Sequence, residues 1–278
     1  MRVVSSKDEM RRACRESSRP LSLVPTMGAL HDGHLSLVDR ARSDSSTVAV
    51  SIFVNPTQFG EGEDFTEYPR DLDADLELLQ RHGTDLVFVP DVAEVYPPGF
   101  DTWVDVGPIA DRLEGAARPG HFRGVATVVA KLFGIVQPDR AYFGQKDGQQ
   151  TVVVRKLARD LDMGIEVVVL PTVRESDGLA MSSRNVRLNP EQRNAAAAVY
   201  RALAAGMNLW SSGEADASKV RDAVRQELEA EPLLEVVDYV SVASPDSLEE
   251  LDRAGRGAML STAVHLGPIR LIDNVIME

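Results

Sequence analysis

The chain has 278 residues, 44% of them hydrophobic, which is enough apolar sequence for one large domain or two ordinary ones without disulfide staples. Its 43 acidic residues against 30 basic ones leave a net charge of −13, which repels a phosphate backbone and argues against nucleic acid as a partner. The single cysteine, Cys14, excludes an intramolecular disulfide and fits a reducing compartment. No run approaches the roughly 20 consecutive apolar residues of a membrane span. The start, MRVVSSKDEM, lacks the apolar stretch of a signal peptide, so a cytoplasmic protein without membrane partners is expected.

The first predicted element is a helix over SSKDEMRRACRES, opened by the capping-box pattern Ser6-Lys7-Asp8-Glu9, with Cys14 read as a packing residue. Short β-branched runs then alternate with helical patterns to about residue 172, the signature of a parallel sheet with crossover helices. Strands are expected at 21–26, 48–54, 85–90, 140–144 and 165–170. Between them, Leu72, Leu76 and Leu79 mark one face of a helix that stops at His82-Gly83, and Val125, Val128, Val129 and Leu132 mark another. After PTVRESDGLAMSSRN the style changes. A long Ala-rich helix follows Asn189-Pro190, a second helix lies near 217–230, and β-rich segments stand at VVDYVSVAS, AMLSTAVHL and PIRLIDNV. The expected fold is therefore α/β: a Rossmann-like parallel-sheet domain over 1–173 and a smaller α+β domain over 174–278, parted where Pro171 and Asp177-Gly178 punctuate the chain.

The strongest local signal is TMGALHDGHLSLVDRA (26–41), placed where the first of those strands ends and a helix begins. Ligands of open α/β sheets bind at such carboxyl ends. Gly28 and Gly33 would let backbone approach a phosphate at a helix N-terminus, and His31 and His34 could donate hydrogen bonds to phosphoryl oxygens. Since the ligand would be an anion, the cleft is expected to be basic against the sign of the whole chain. Two sharper motifs fail. The Walker-type spacing Gly28 to Gly33 lacks its Lys-Ser/Thr ending, and no G-x-G-x-x-G follows the strand. The two histidines have no third ligand at zinc spacing, so no protein-bound metal is expected there.

What remains is H-x-G-H, here His31-Asp32-Gly33-His34, which resembles the signature of the nucleotidylyltransferase and class I synthetase superfamily. VNPTQFGEGEDFTEYPRD (54–71), ARPGHFRGV (117–125), DRAYFGQKDGQQ (139–150) and PTVRESDGLAMSSRN (171–185) extend the match. Together the five blocks resemble the pantothenate synthetase family, in its order and at compatible separations. The resemblance implies ATP-dependent condensation of pantoate with β-alanine through an enzyme-bound pantoyl adenylate, with magnesium accompanying ATP and a homodimer as the usual assembly. Residues 1–173 would bind ATP and pantoate, and 174–278 would close over them. It implies catalytic roles for His31, His34, Lys146, Ser182, Ser183 and Arg184. ATP would be held by these together with Met27, Gly28, Gly33, Gly144, Asp147, Val173 and Met181, the last three residues of the MSSR run and Lys146 meeting the triphosphate and Asp147 the ribose. Gln58 and Gln150 would grip pantoate, and Gln58 also β-alanine.

The loop Gly60–Asp71, rich in glycine and acidic residues, is expected to cover the site. Two positions depart from the family, which usually has an acidic residue where Gln145 stands and an aromatic one where Gly148 stands. The glycine is expected to loosen the ribose and pantoate ends of the site. Two other readings compete: a different H-x-G-H adenylyltransferase that stops after nucleotidyl transfer, and a regulatory nucleotide-binding module. The first needs no amine-accepting step, and the second should have lost one of His31, His34, Lys146 or Arg184, all of which are present.

Overall fold

The computed structural model describes all 278 residues. The chain opens with β1 (Arg2–Val4), α1 (Lys7–Glu16), β2 (Leu21–Thr26), α2 (Asp32–Asp44) and β3 (Thr47–Ile52). It continues through α3 (Leu72–Arg81), β4 (Leu86–Phe88), the short α4 (Val92–Val95) and α5 (Glu114–Ala117), α6 (His121–Val136), β5 (Arg140–Gly144), α7 (Gly148–Asp160) and β6 (Glu166–Leu170). The six strands form one sheet in the order β1-β4-β3-β2-β5-β6, every neighbouring pair parallel. The chain moves outward from β2 to β3 and β4, then returns to lay β5 on the other side of β2. That reversal leaves a crevice at the carboxyl ends of β2 and β5, where an open parallel sheet binds ligands.

Helices cover both faces, which is why the central strands read as continuous apolar runs rather than alternations. Alternation is nevertheless present across the sheet. Leu23, Ala49, Phe88 and Phe143 belong to the core shared with α1, α6 and α7. Val24, Val48, Val50 and Tyr142 point to the other side, against Leu37, Val38 and Ala41 of α2 and Leu79 of α3. Cys14 lies in the first of these cores, and burial pushes its thiol up to about 11, so it stays protonated and acts as a packing group. Ser6 caps α1 by accepting the Glu9 N–H at 3.2 Å.

The second part consists of α8 (Pro190–Ala196), α9 (Ala198–Ser211), α10 (Ala217–Glu229) and the strands β7 (Val236–Ala243), β8 (Met259–Leu266) and β9 (Ile269–Ile276). The strands form an antiparallel sheet in chain order. Leu260, Val264 and Leu266 of β8 pack on the helices, while Met259, Ser261 and His265, the alternate residues, face the first part of the chain.

Three sequence expectations change. The strand β1 was not expected, because three residues carry no readable pattern, and its existence depends on pairing with the edge of β4. The long Ala-rich helix is two helices divided at Ala197, the first opened by an Asn189–Gln192 capping box. Leu72 is 41% exposed, so the buried face of α3 is set by Leu79 and, against expectation, by Asp75, which is 3% exposed.

Candidate active site

The loop after β2 has a constrained shape. Gly28 and Ala29 both have positive φ, 82° and 51°. The turn is held from behind by Asp75, whose carboxylate accepts the N–H groups of Ala29 at 2.9 Å and Leu30 at 2.7 Å. A Cβ on Gly28 would lie 2.9 Å from Asp75 Oδ2, so glycine is required both for conformation and for space. Burial pushes the Asp75 carboxyl up, and the two N–H groups pull it back. Asp75 is absent from the sequence reading, yet the signal existed: it shares a helix face with Leu72 and Leu79, and a carboxylate on an apolar stripe must have partners.

His31 is the N-cap of α2, its Nδ1 accepting the Gly33 N–H at 3.2 Å. A Cβ on Gly33 would come within 2.8 Å of His31 Cε1, so this glycine makes room for the cap. With Nδ1 accepting, the proton of the neutral ring sits on Nε2 and is free to be donated. The His34 ring lies 4.1 Å away between centroids, its Nδ1 buried without a partner. Burial, reinforced by the charge of Lys146, lowers His31 to about 4. Burial and its neighbour His31 lower His34 to about 3. Both are therefore neutral N–H donors at pH 7.

His121 is also lowered to about 4, by burial first and by Arg118 second. In the unfolded chain such groups titrate near 6.5, so unfolding takes up protons between about pH 4 and 6.5. Stability is complete above that window and is lost as the pH falls through it. At pH 5.5 each of the three histidines should cost on the order of 1 kcal/mol relative to pH 7.5. Calorimetry should show Tm falling over this interval, above the range where carboxylates titrate, and an unchanged Tm would contradict the depressed values.

Lys146 follows β5 in a 3₁₀ turn, Gln145–Asp147, that leads into α7. Its Nζ lies 3.5 Å from Asp147 Oδ1. Burial opposes ionisation of Asp147, but Lys146 and Arg184 outweigh it and hold the carboxyl below its usual range. Gly144 presents an open side, since a Cβ there would meet nothing within 4 Å. From the second part of the chain, Met181 donates its N–H to the carbonyl of Val173 at 3.0 Å, closing the loop that carries Ser182 and Ser183. The Ser182 hydroxyl accepts the Arg184 N–H at 3.3 Å. Ser183 is turned inward, donating to the Ala29 carbonyl at 2.9 Å, and so joins this loop to the histidine loop.

Arg184 forks onto Asp64 with two bonds of 2.8 Å, and Arg187 reaches the same carboxylate at 2.6 Å. Arg118 pairs with Glu63. The acidic residues of the loop Gly60–Asp71 thus occupy the arginines, and the cleft is not the simple basic pocket expected for an anionic ligand. Lys146 is free of the loop, and the arginines become available to an anion when the loop's carboxylates give way.

At the other end of the site, Gln58 is held before any ligand arrives. Its Oε1 accepts from Asn55 Nδ2 at 3.0 Å, its Nε2 points to Met27 Sδ at 3.3 Å, and its carbonyl accepts from His121 Nδ1 at 2.7 Å. Asn55 is 1% exposed and its Oδ1 takes the Tyr96 hydroxyl at 2.8 Å and the Thr57 hydroxyl at 2.9 Å. Tyr96 and Arg118 were missed by sequence reasoning because they act on this segment from far along the chain, Tyr96 through Asn55 and Arg118 on the Gln58 carbonyl, and Asn55, only three residues from Gln58, was missed because its bracing role depends on Tyr96. His121 is thereby a support, both ring nitrogens being engaged, the second by Arg118 at 3.3 Å. Both glutamines of α7 border the cleft, but the Gln149 amide, 4% exposed, is taken up by the Glu114 N–H and the Ile109 and Arg112 carbonyls, whereas no protein partner engages the Gln150 side chain.

These groups surround one cleft of about 720 Å³. Met27, His31, Gly33 and His34 line it after β2, with Gly144, Lys146 and Asp147 beside them after β5. Val173, Met181, Ser182, Ser183 and Arg184 line it as well, and so do Gln58 and Gln150. Gly28 alone of the sequence candidates is off the wall, serving the turn behind it. No group of three or more His, Cys, Asp or Glu side chains is arranged to hold a metal ion.

Fold and site together define an α/β protein with one large cleft at the reversal of a parallel sheet. The model of the pantoate–β-alanine ligase family matches residues 2–276, and the chain belongs to that family. The pantothenate synthetase of Roseiflexus sp. strain RS-1 is 58% identical over 278 residues, covering 100% of both chains. Among solved structures, pantothenate synthetase from Thermus thermophilus superposes with a TM-score of 0.95 at 50% identity, covering 100% of this chain and 99% of that one. Pantoate–β-alanine ligase from Francisella tularensis, complexed with β-γ ATP and β-alanine, gives 0.81 at 31% identity, covering 100% and 98%.

Proposed function

We infer that the chain joins pantoate to β-alanine at the expense of ATP, by way of pantoyl adenylate. The observation that carries this is the convergence of the loops after β2 and β5 and of segment 181–184 on one cleft that Gln58 and Gln150 also line. Family membership decides against an adenylyltransferase of another kind and against a non-catalytic module.

In the first step a pantoate carboxylate oxygen attacks the α-phosphorus, forming the mixed anhydride as the bond to the pyrophosphate oxygen breaks. Negative charge shifts onto the leaving bridging oxygen and the α-phosphoryl oxygens. The neutral His31 Nε2–H and His34 can donate to those oxygens, with Lys146 and Arg184 supplying fixed positive charge. Asp147, beside Lys146, is the acceptor for ribose hydroxyls. Gln58 and Gln150 offer amide donors and acceptors to the pantoate hydroxyls and carboxylate, and Gln58 extends the same role to β-alanine. The chain's donor set fits magnesium as an ion that arrives with ATP, its phosphates and water being most of the ligands. Such an ion would neutralise phosphate charge. The division near 173/174 then has a purpose: the triphosphate-facing loop and the antiparallel sheet belong to 174–278, which closes on a site built by 1–173. No helix is long and apolar enough to cross a membrane, and we place the enzyme in the cytoplasm as a homodimer.

The test is the order of events. ATP, magnesium and pantoate without β-alanine should yield one equivalent of pyrophosphate per site in a single-turnover quench, with the adenylate retained. AMP should appear only after the amine is added. Pyrophosphate that waits for β-alanine would replace the two-step reading with a concerted one.

A further inference from the structure

The expectation that Gly148 loosens the site is reversed by what fills the space around it. A Cβ on Gly148 would lie 2.7 Å from Met259 Sδ and 2.9 Å from Asn274 Nδ2, both from the antiparallel sheet. Asn274, on β9, is 3% exposed. Its Nδ2 donates to the carbonyls of Gln145 at 2.8 Å and Lys146 at 2.9 Å, and its Oδ1 accepts from Gln145 Nε2 at 2.7 Å. The orientation of this amide follows from chemistry. Two carbonyl oxygens can only accept, so Nδ2 must face them, and Oδ1 is left facing a group that must donate. Gln145 can donate there, whereas the acidic residue expected at that position could not when ionised.

Asn274 is itself fixed. Its N–H donates to Asp273 Oδ1 at 2.8 Å, and Asp273 takes a two-pronged contact from Arg174 at 2.6 and 3.1 Å. A continuous chain of hydrogen bonds therefore runs from Arg174, at the start of the second part, through β9 to the backbone on either side of Lys146.

We propose that Asn274 is a positioning residue for adenylation, holding the Lys146 turn in the geometry that meets the triphosphate, with Gln145 and Gly148 as its matched seat. The Lys146 turn is then complete only when the antiparallel sheet is docked, so closure of the second part and placement of the lysine are one event. A lysine on a turn whose carbonyls are unheld would sample positions an ångström or more away, and displacements of that size lower a rate steeply. The proposal rests on the assignment of Lys146 to the triphosphate.

Asn274→Asp keeps the shape but turns an acceptor toward two carbonyl oxygens, and Gly148→Ala pushes Asn274 off its seat from the other side. Each should lower kcat for pyrophosphate formation roughly 10- to 100-fold. The reaction of β-alanine with supplied pantoyl adenylate, which does not use the lysine's contact with pyrophosphate, should stay within about twofold. Gln145→Met, which removes one donor and leaves the carbonyl contacts, should give a smaller loss confined to the same step. Equal losses in both steps that track a lowered Tm would reduce Asn274 to a stabilising residue, and wild-type adenylation in folded Asn274→Asp and Gly148→Ala would overturn the proposal. Lys146→Ala measured alongside separates the two claims: if it too adenylates normally, the site assignment is at fault, and if it alone is slow, only the role of Asn274 fails.

Discussion

Lys146→Ala should slow pyrophosphate formation by about 10²- to 10³-fold, the usual loss for one preorganised electrostatic donor. The reason lies in the cleft's charge as it stands without substrate. Arg184 and Arg187 share Asp64, Arg118 is paired with Glu63, and Arg270 with Glu114 and Asp238, so Lys146 is the cleft cation held by no short ion pair. Its side chain is 20% exposed and its contact with Asp147 is long at 3.5 Å, leaving its donors free for a ligand. Because the turn that carries it is braced by backbone contacts, alanine should leave the fold intact and Tm close to the parent value. Lys146→Arg should recover little, since a planar fork does not reproduce a compact ammonium at the same reach. Stopped-flow measurement of pyrophosphate release decides it: a folded Lys146→Ala protein with near-normal release would move the triphosphate elsewhere in the cleft.

The second large effect belongs to the amine step. β-Alanine must attack the adenylate carbonyl as a free base, forming the amide bond while the bond to AMP breaks and the amine gives up its proton. An alkylammonium of this kind has a pKa near about 10, so most of it is unreactive at neutral pH. The cleft offers no evident base for that proton. His31 uses Nδ1 for the helix cap, His34 is buried and assigned with it to the phosphoryl oxygens, His121 has both nitrogens engaged, and Lys146 is needed charged. Positioning in a water-poor site, with the proton passing to a phosphate oxygen or solvent, is left to carry the step. With preformed adenylate and subsaturating β-alanine, the rate should rise about tenfold per pH unit between roughly 6 and 8.5, following the free-amine fraction. The result that would reverse this is a plateau near pH 7 that disappears in His265→Gln. His265 also lines the cleft, its Nε2 3.2 Å from Asp238, and is the imidazole there to which no other task has been given.

Glu63 and Asp64 are legible as acidic residues in a glycine-rich segment, a composition from which a cover for the site is expected. In the folded chain they are counter-ions to Arg118, Arg184 and Arg187, drawn from distant stretches. If the triphosphate meets Arg184 as proposed, it must compete with Asp64 for that guanidinium, and hydrogen exchange in the loop should then change when ATP binds.

Local chemistry was enough to place most elements. β2 and β5 fall on the expected residues, because a strand buried on both faces must be a bounded apolar run. The H-x-G-H turn, the Lys146 turn and the MSSR run were legible as candidates because each gathers small residues or donors close together in the chain, and all three line the cleft. What sequence could not show are the groups whose meaning depends on partners far along it. The place of Asp75 on an apolar helix face shows that it must have partners, but not that they are the N–H groups of Ala29 and Leu30. Gly148 reads as a loss until Asn274, more than a hundred residues away, is seen to occupy the space. Periodicity and local hydrogen-bonding capacity are properties of neighbouring residues, so the sequence alone determined most elements, the sheet class and the candidate residues that line the cleft. Buried polar groups must find partners wherever the chain brings them, and only the tertiary structure decided which distant residues brace Gln58, Lys146 and the histidine loop.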